Sequence, residues 1–245
     1  MNWYGIAAWI KVALRQLQLS VYPPRCIGCG VFCAMWVCQN CRGRMEHWRG
    51  RICLRCGQHL RSRVCSTCRR ERFPFLQFRS LFVYRSAAKD AICRLKYGKQ
   101  VYIANVLGSL LGYRLRLLKG YQKAAGVVPI PISWRHKLER GFNQSELLGE
   151  QVSRILGIPL YSCLRYRRHV MPQSSLRRAE RHKNMQGAFL AKVPLSLVGK
   201  RVILVDDVLT TGSTAREATY ALLEEGIREI WVATVARSKG RIAVI

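Results

Sequence analysis

A chain of 245 residues is long enough for one α/β domain plus a small module, and 42 Lys and Arg against 13 Asp and Glu give it a formal charge of +29. The basic residues run through the whole chain and are not confined to a tail. Such a field favours polyanionic partners, whether nucleic acid, anionic lipid heads or phosphorylated substrates.

Residues 1–10 are apolar, but no basic segment precedes them, and Lys11 and Arg15 interrupt the run. That pattern argues against a secretory signal, and the stretch is too short to span a bilayer. Trp3, Ile6, Ile10, Ala13 and Leu17 fall near helical spacing and predict an amphipathic helix over 3–19 that packs on its own protein. Membrane contact through Trp3 and Trp9 is the alternative. The expected location is cytoplasmic, at most peripheral to the inner membrane, with no transmembrane span.

Of the 11 cysteines, most crowd between residues 26 and 68 as C-x-x-C pairs: Cys26/Cys29, Cys38/Cys41, Cys53/Cys56 and Cys65/Cys68. Cys26-Ile-Gly-Cys-Gly and Cys53-Leu-Arg-Cys-Gly have the form of zinc knuckles. Each is followed by a second pair, giving two Cys₄ sets in tandem, as in a double zinc ribbon. A small segment with little core needs such a metal to fold. Disulfides are the competing reading, disfavoured in a reducing compartment. Knuckle-to-knuckle pairing, Cys26/Cys29 with Cys53/Cys56, stays open, so one or two structural Zn²⁺ ions are expected. Many arginines and the aromatics Phe32, Trp36 and Trp48 share this segment with only Glu46 and Glu71. That mixture suits single-stranded nucleic acid, although the aromatics fit a small core equally well.

Three divisions follow: an N-terminal helix in 1–24, a double zinc ribbon in 25–72, and an α/β domain in 73–245. Within the last, residues 73–86 read as a linker running into a strand. Lys89–Tyr97 is a short helix ending at Gly98, Tyr102–Leu118 a longer one, and Val127–Ile130 a short strand. Helix 143–156 is capped by Asn143 and stopped by Gly157. A strand is expected over 160–164 and a basic loop over 165–187. Strand Arg201–Val205, helix Ala215–Glu225 and strand Glu229–Ala236 complete a parallel sheet flanked by helices.

The most informative stretch is Val-Ile-Leu-Val-Asp-Asp-Val-Leu-Thr-Thr-Gly-Ser-Thr at 202–214. Asp206 and Asp207 sit at the carboxyl end of a buried strand, where ligands bind in open α/β sheets. Thr210, Thr211, Gly212, Ser213 and Thr214 lead into a helix whose first N–H groups favour a phosphate. Two carboxylates beside a phosphate cradle suit a sugar diol, a metal ion, or both. A Walker NTPase is unlike this chain, since no G-x-x-x-x-G-K-[ST] is present.

This stretch resembles the phosphoribosyl pyrophosphate (PRPP) motif of type I phosphoribosyltransferases. The resemblance implies that the two acids hold the ribose hydroxyls and the Thr-rich loop wraps the 5′-phosphate. Further segments are Leu95-Lys96-Tyr97-Gly98, Val128-Pro129-Ile130-Pro131 with Glu139-Arg140-Gly141-Phe142-Asn143-Gln144, and Gln173 through Phe189. With the Cys pairs, they make the chain similar to the ComF family of competence-associated, phosphoribosyltransferase-like proteins over roughly residues 20–237. The resemblance implies a type I phosphoribosyltransferase-like fold behind a zinc module. It also implies Mg²⁺ accompanying PRPP or a related nucleotide, internalised single-stranded DNA as a partner, and partner proteins of the DNA-uptake machinery. It does not supply the acceptor of a transfer reaction. Carried over by position, Pro131 lies on the pyrophosphate loop and Arg140 meets the pyrophosphate. Lys96 reaches the site from the hood, and Gln173, Arg177 and Arg181 sit on a closing loop over 171–184. The rival class is a non-catalytic nucleic-acid-binding module that keeps the phosphate pocket as an anchor.

Overall fold

The computed structural model describes residues 24–60, 62–167 and 187–239. The helix expected over 3–19 and the loop residues Gln173, Arg177 and Arg181 lie outside the described residues. Described strands are β1 (Gln77–Val83), β2 (Gly126–Pro129), β3 (Leu164–Tyr166), β4 (Phe189–Ala191), β5 (Arg201–Leu209) and β6 (Glu229–Arg237). Described helices are α1 (Gln39–Arg44), α2 (Ser66–Arg70), α3 (Ser86–Lys96), α4 (Tyr102–Arg116), α5 (Trp134–Arg140), α6 (Gln144–Leu156) and α7 (Ser213–Glu224).

The strands of the main sheet lie in the order β1-β6-β5-β2, and every pair is parallel. Their sequences explain this. Val202–Val205 and Ile230–Ala236 are near-continuous apolar runs, as strands need when both faces are covered. One face carries α3, α4 and α6 over Ile203, Val205, Ala233 and Val235. The other carries α7 and the β3–β4 pair over Val202, Leu204 and Val232.

Three expectations shift. Strand β5 runs past Val205 to Leu209, because its register with β6 continues through Asp206↔Thr234 and Leu209↔Arg237. The strand expected at 160–164 falls instead at Leu164–Tyr166, where it finds an antiparallel partner in Phe189–Ala191. Leu160 makes only an isolated bridge to Val127. Helix α5 adds an element that the sequence pattern does not announce. The expected cap of α6 is present: Asn143 Oδ1 accepts from Ser145 N at 3.1 Å, and Gly157 follows in the left-handed region.

The cysteine segment runs along the outer edge of β1. Phe78 N donates to the Leu54 carbonyl at 2.9 Å, Val83 N donates to the Glu46 carbonyl at 2.8 Å, and His47 bridges Phe82. An open strand edge would otherwise present unpaired backbone groups to other chains. Among the described residues no helix is long and apolar enough to cross a membrane.

Candidate functional site

Asp206 and Asp207 lie near the carboxyl end of β5 and are held from two directions. Asp206 Oδ1 accepts from Ser145 Oγ, in the first turn of α6, at 2.8 Å, and from the Asp207 backbone N–H at 2.8 Å. Asp207 is 3% exposed, and its Oδ2 lies 2.5 Å from Nζ of Lys96, the last residue of α3. Burial, then the charge of Asp207, pushes the Asp206 carboxyl up to about 7 against the opposing pull of Lys96 and Ser145. Burial alone would pull Lys96 down, but Asp207 and then Asp206 outweigh it and hold the ammonium above its usual range.

The next loop carries the hydroxyls. Thr211 Oγ1 and Ser213 Oγ are 2.6 Å apart, and Ser213 N donates to Thr211 Oγ1 at 3.3 Å. Gly212 takes φ +85°, a left-handed conformation that a side chain disfavours. A Cβ there would also stand 3.0 Å from the Phe73 ring. The N-cap residue Gly212 has no side chain to cap α7; Thr211 Oγ1 takes the Ser213 amide, which leaves the next amides of the first turn to solvent or a ligand. Thr214 follows within the first turn of α7.

On the opposite side, Arg140 ends α5. This short helix exists because Ser133 Oγ accepts from His136 N at 3.4 Å at its start, and Gly141 stops it at φ +83°. Arg140 is 9% exposed, its Nη1 donates to Gln144 Oε1 at 3.0 Å, and its guanidinium stands 5.6 Å from the Tyr97 ring. Its buried Nε has no hydrogen-bond partner. A guanidinium with a spare donor suits an anion. Asn143 Nδ2 donates to the Ile130 carbonyl at 3.1 Å, tying the start of α6 to the end of β2. Pro131 follows Ile130 on the β2–α5 connection.

Lys96, Arg140, Asp206 and Asp207 are therefore neighbours, with the Thr210–Thr214 loop on the same β5–α7 connection. Arg177 lies outside the described residues. Sequence reasoning missed Ser145, which comes two residues after the helix cap Asn143, and Gln144, read only as part of a motif.

The eight paired cysteines fall into two groups, Cys26, Cys29, Cys38, Cys41 and Cys53, Cys56, Cys65, Cys68, with the sulfurs of each group within 4.8 Å of one another. Sequential pairing thus replaces the knuckle-to-knuckle alternative. Sulfurs 29 and 38 are 3.7 Å apart, 53 and 68 3.7 Å, and 56 and 65 3.5 Å. Those separations are far beyond a disulfide. They match the edge of a tetrahedron of sulfurs about 2.3 Å from a zinc, which is about 3.8 Å. Burial opposes ionisation of Cys26, but the amides of Cys38, Cys29 and Gly28 outweigh it and bring the thiol down to about 6. Burial and neighbouring sulfurs push Cys41 and Cys68 up. A set of four thiolates therefore needs a cation to ionise together, and both sets fit a structural zinc.

Between this segment and the sheet lies a cleft of about 1410 Å³, whose walls include Arg42, Arg49, Arg70, Trp48, Thr210 and Thr211. Glu46, one of its few acids, is engaged by Arg85 and Lys239.

A family model described as phosphoribosyl transferase domain matches residues 143–244. Competence protein F of Haemophilus influenzae is 36% identical over 152 residues, 60% of this chain and 66% of that protein. Competence protein ComFC of Bacillus subtilis is 32% identical over 200 residues, 78% of this chain and 79% of that protein. DNA utilization protein YhgH of Escherichia coli is 29% identical over 208 residues, 82% of this chain and 90% of that protein. Among solved structures, a glutamine PRPP amidotransferase from Bacillus subtilis gives a TM-score of 0.38 at 22% identity, covering 53% of this chain and 26% of that one. A purine phosphoribosyltransferase from Pyrococcus horikoshii gives 0.36 at 18%, covering 56% and 84%. The architecture is a type I phosphoribosyltransferase-like parallel sheet joined to two tetra-cysteine clusters, and the similarity to ComFC extends over most of both proteins. The chain belongs to the ComF family of competence-associated, phosphoribosyltransferase-like proteins.

Proposed function

We propose that this competence-related protein binds PRPP or a nucleotide of like chemistry. The carrying observation is two carboxylates on β5, followed two residues later by a hydroxyl-rich loop into a helix whose N-cap is a glycine. Asp206 and Asp207 would take the ribose hydroxyls, Thr210–Thr214 the 5′-phosphate, and Arg140 with the Pro131 loop the diphosphate. Lys96 would leave Asp207 as the sugar enters. In a transferase reaction a ring nitrogen bonds to C1′ while the C1′–O bond breaks and its electrons leave with the diphosphate. Charge then builds on the ribose ring, where the two carboxylates stabilise it, and on the leaving oxygen, where Arg140 does. Mg²⁺ arriving with the diphosphate supplies charge neutralisation there.

We infer also that the arginine-lined cleft takes single-stranded nucleic acid. It is larger than the roughly 300–1,000 Å³ of small-ligand pockets, it offers cations and Trp48 for phosphates and bases, and it reaches Thr210 and Thr211. The name of the Escherichia coli relative, a DNA utilization protein, agrees with this.

Calorimetric titration of the zinc-loaded full chain with PRPP and Mg²⁺, repeated with a single-stranded oligonucleotide, tests both. Asp206→Asn with Asp207→Asn should abolish the PRPP signal and spare oligonucleotide binding. An undiminished PRPP signal in that variant would remove the site assignment. Changing Arg42, Arg49 and Arg70 to Gln should flatten the salt dependence of oligonucleotide binding, by about 0.7 in log–log slope for each phosphate left without its cation. An unchanged slope would remove the cleft.

A further inference from the structure

Helix α4 buries Ile103, Leu107, Leu111 and Leu115 against the sheet and α6. Its other side is also apolar. Leu110 is 39%, Tyr113 59% and Leu117 78% exposed, and Tyr102 and Val106 are half-buried. Positions 102, 106, 110, 113 and 117 are spaced four, four, three and four apart, so they form one stripe along the helix. The stripe starts beside the first cysteine set. The Tyr102 ring lies 5.8 Å from Trp36, and the Tyr102 hydroxyl donates to the Arg25 carbonyl at 3.5 Å.

We propose that residues 3–17 of this same chain cover the stripe as a helix antiparallel to α4. Trp3, Ile6, Ile10, Ala13 and Leu17 repeat at three-and-four spacing. Run antiparallel, they meet the stripe in one register to within a residue: Trp3 at Leu117, Ile6 at Tyr113, Ile10 at Leu110, Ala13 at Val106 and Leu17 at Tyr102. Lys11 and Arg15, the only charged residues between Trp3 and Leu17, fall on the opposite side of such a helix. The lengths agree, since α4 has 15 residues and a helix over 3–17 would match its span of about 22 Å.

The direction follows from the tether. The Pro24 carbonyl accepts from Cys33 N at 2.9 Å, which fixes the entry of the chain beside the amino end of α4. Residues 18–23 can extend about 20 Å at most, which keeps Leu17 near Tyr102 and lets Trp3 reach Leu117. A second copy or a membrane surface would also cover apolar side chains, but neither accounts for the shared register and the tether.

Hydrogen exchange on the zinc-loaded full chain tests the docking. Amides of residues 3–17 should exchange about tenfold slower or more than in an unfolded peptide, at the same rate across protein concentrations. The exposed pair Tyr113→Glu and Leu117→Glu should abolish that protection while α4 keeps its own. Trp3→Lys combined with Leu117→Glu should retain it through a new ion pair. Absent protection in the unmodified chain overturns the proposal, and so does protection that survives the glutamates. Protection that rises with protein concentration overturns it too, and assigns the stripe to a second copy. Protection that appears only with anionic phospholipid vesicles overturns it by assigning the segment to a membrane.

Discussion

Removing the Lys96 ammonium should cost stability. Lys96→Met keeps the stem of the side chain and deletes the charge 2.5 Å from Asp207, whose side chain is 4% exposed. Breaking a buried pair from one side costs about 3–5 kcal/mol, because the remaining charge is stranded away from water. An exposed pair with the same geometry would contribute only about 0–1 kcal/mol, so the size of the loss reads the burial directly. Urea unfolding of the zinc-loaded protein at pH 7 should therefore show a loss of about 3–5 kcal/mol. Adding Asp207→Asn should return most of it, since no charge is then stranded. A loss below about 1 kcal/mol, or one that Asp207→Asn does not recover, would refute the reasoning and mean that solvent already screens the pair.

Asp206 titrates the other way from a paired acid. Its folded carboxyl is raised to about 7 from 3.8, so the folded state binds the proton more tightly and stability falls as pH rises through that window. Asp206→Asn should raise the unfolding midpoint at pH 8 and leave it nearly unchanged near pH 4; an equal gain at both would refute this. Gly57→Ala should destabilise by about 2–4 kcal/mol in the same urea assay, since Gly57 holds φ +72° and a Cβ would stand 2.3 Å from the Phe78 ring. Elemental analysis of protein purified without added metal should find two zinc ions per chain, and Cys56→Ser should lose one. Two ions persisting in that variant would separate Cys56 from the metal.

The parts of the site that one stretch of chain carries were legible in the sequence. Val202–Thr214 announces a strand, a pair of acids and a loop because all three are contiguous, and the C-x-x-C pairs announce two tetra-cysteine sets by spacing. Contacts across the fold left no such trace. Ser145 reaches Asp206 from 61 residues away, and a serine in a helix's first turn looks like any other. Helix α5 was hidden because Trp134 and Leu138 are 65% and 75% exposed, so its apolar residues mark no buried face. Strands β3 and β4 are three residues each, too short for alternation to show, and their partners are separated by a long polar stretch.

The cysteine segment shares its interior with the sheet. Cys26 and Cys41 pack with Ala87, Ala91 and Ile92 of α3, and Cys56 packs with Phe73 and Phe78. Phe73 in turn sits under Gly212 of the hydroxyl loop. The two tetra-cysteine clusters are thus set at a fixed distance from the Asp206–Thr214 segment, like the jaw of a caliper. If the cleft takes a single strand as proposed, a strand held by Arg42, Arg49 and Arg70 would arrive at Thr210 after a constant number of nucleotides. Strands would then be discriminated by how far they extend past the grip, independently of their sequence.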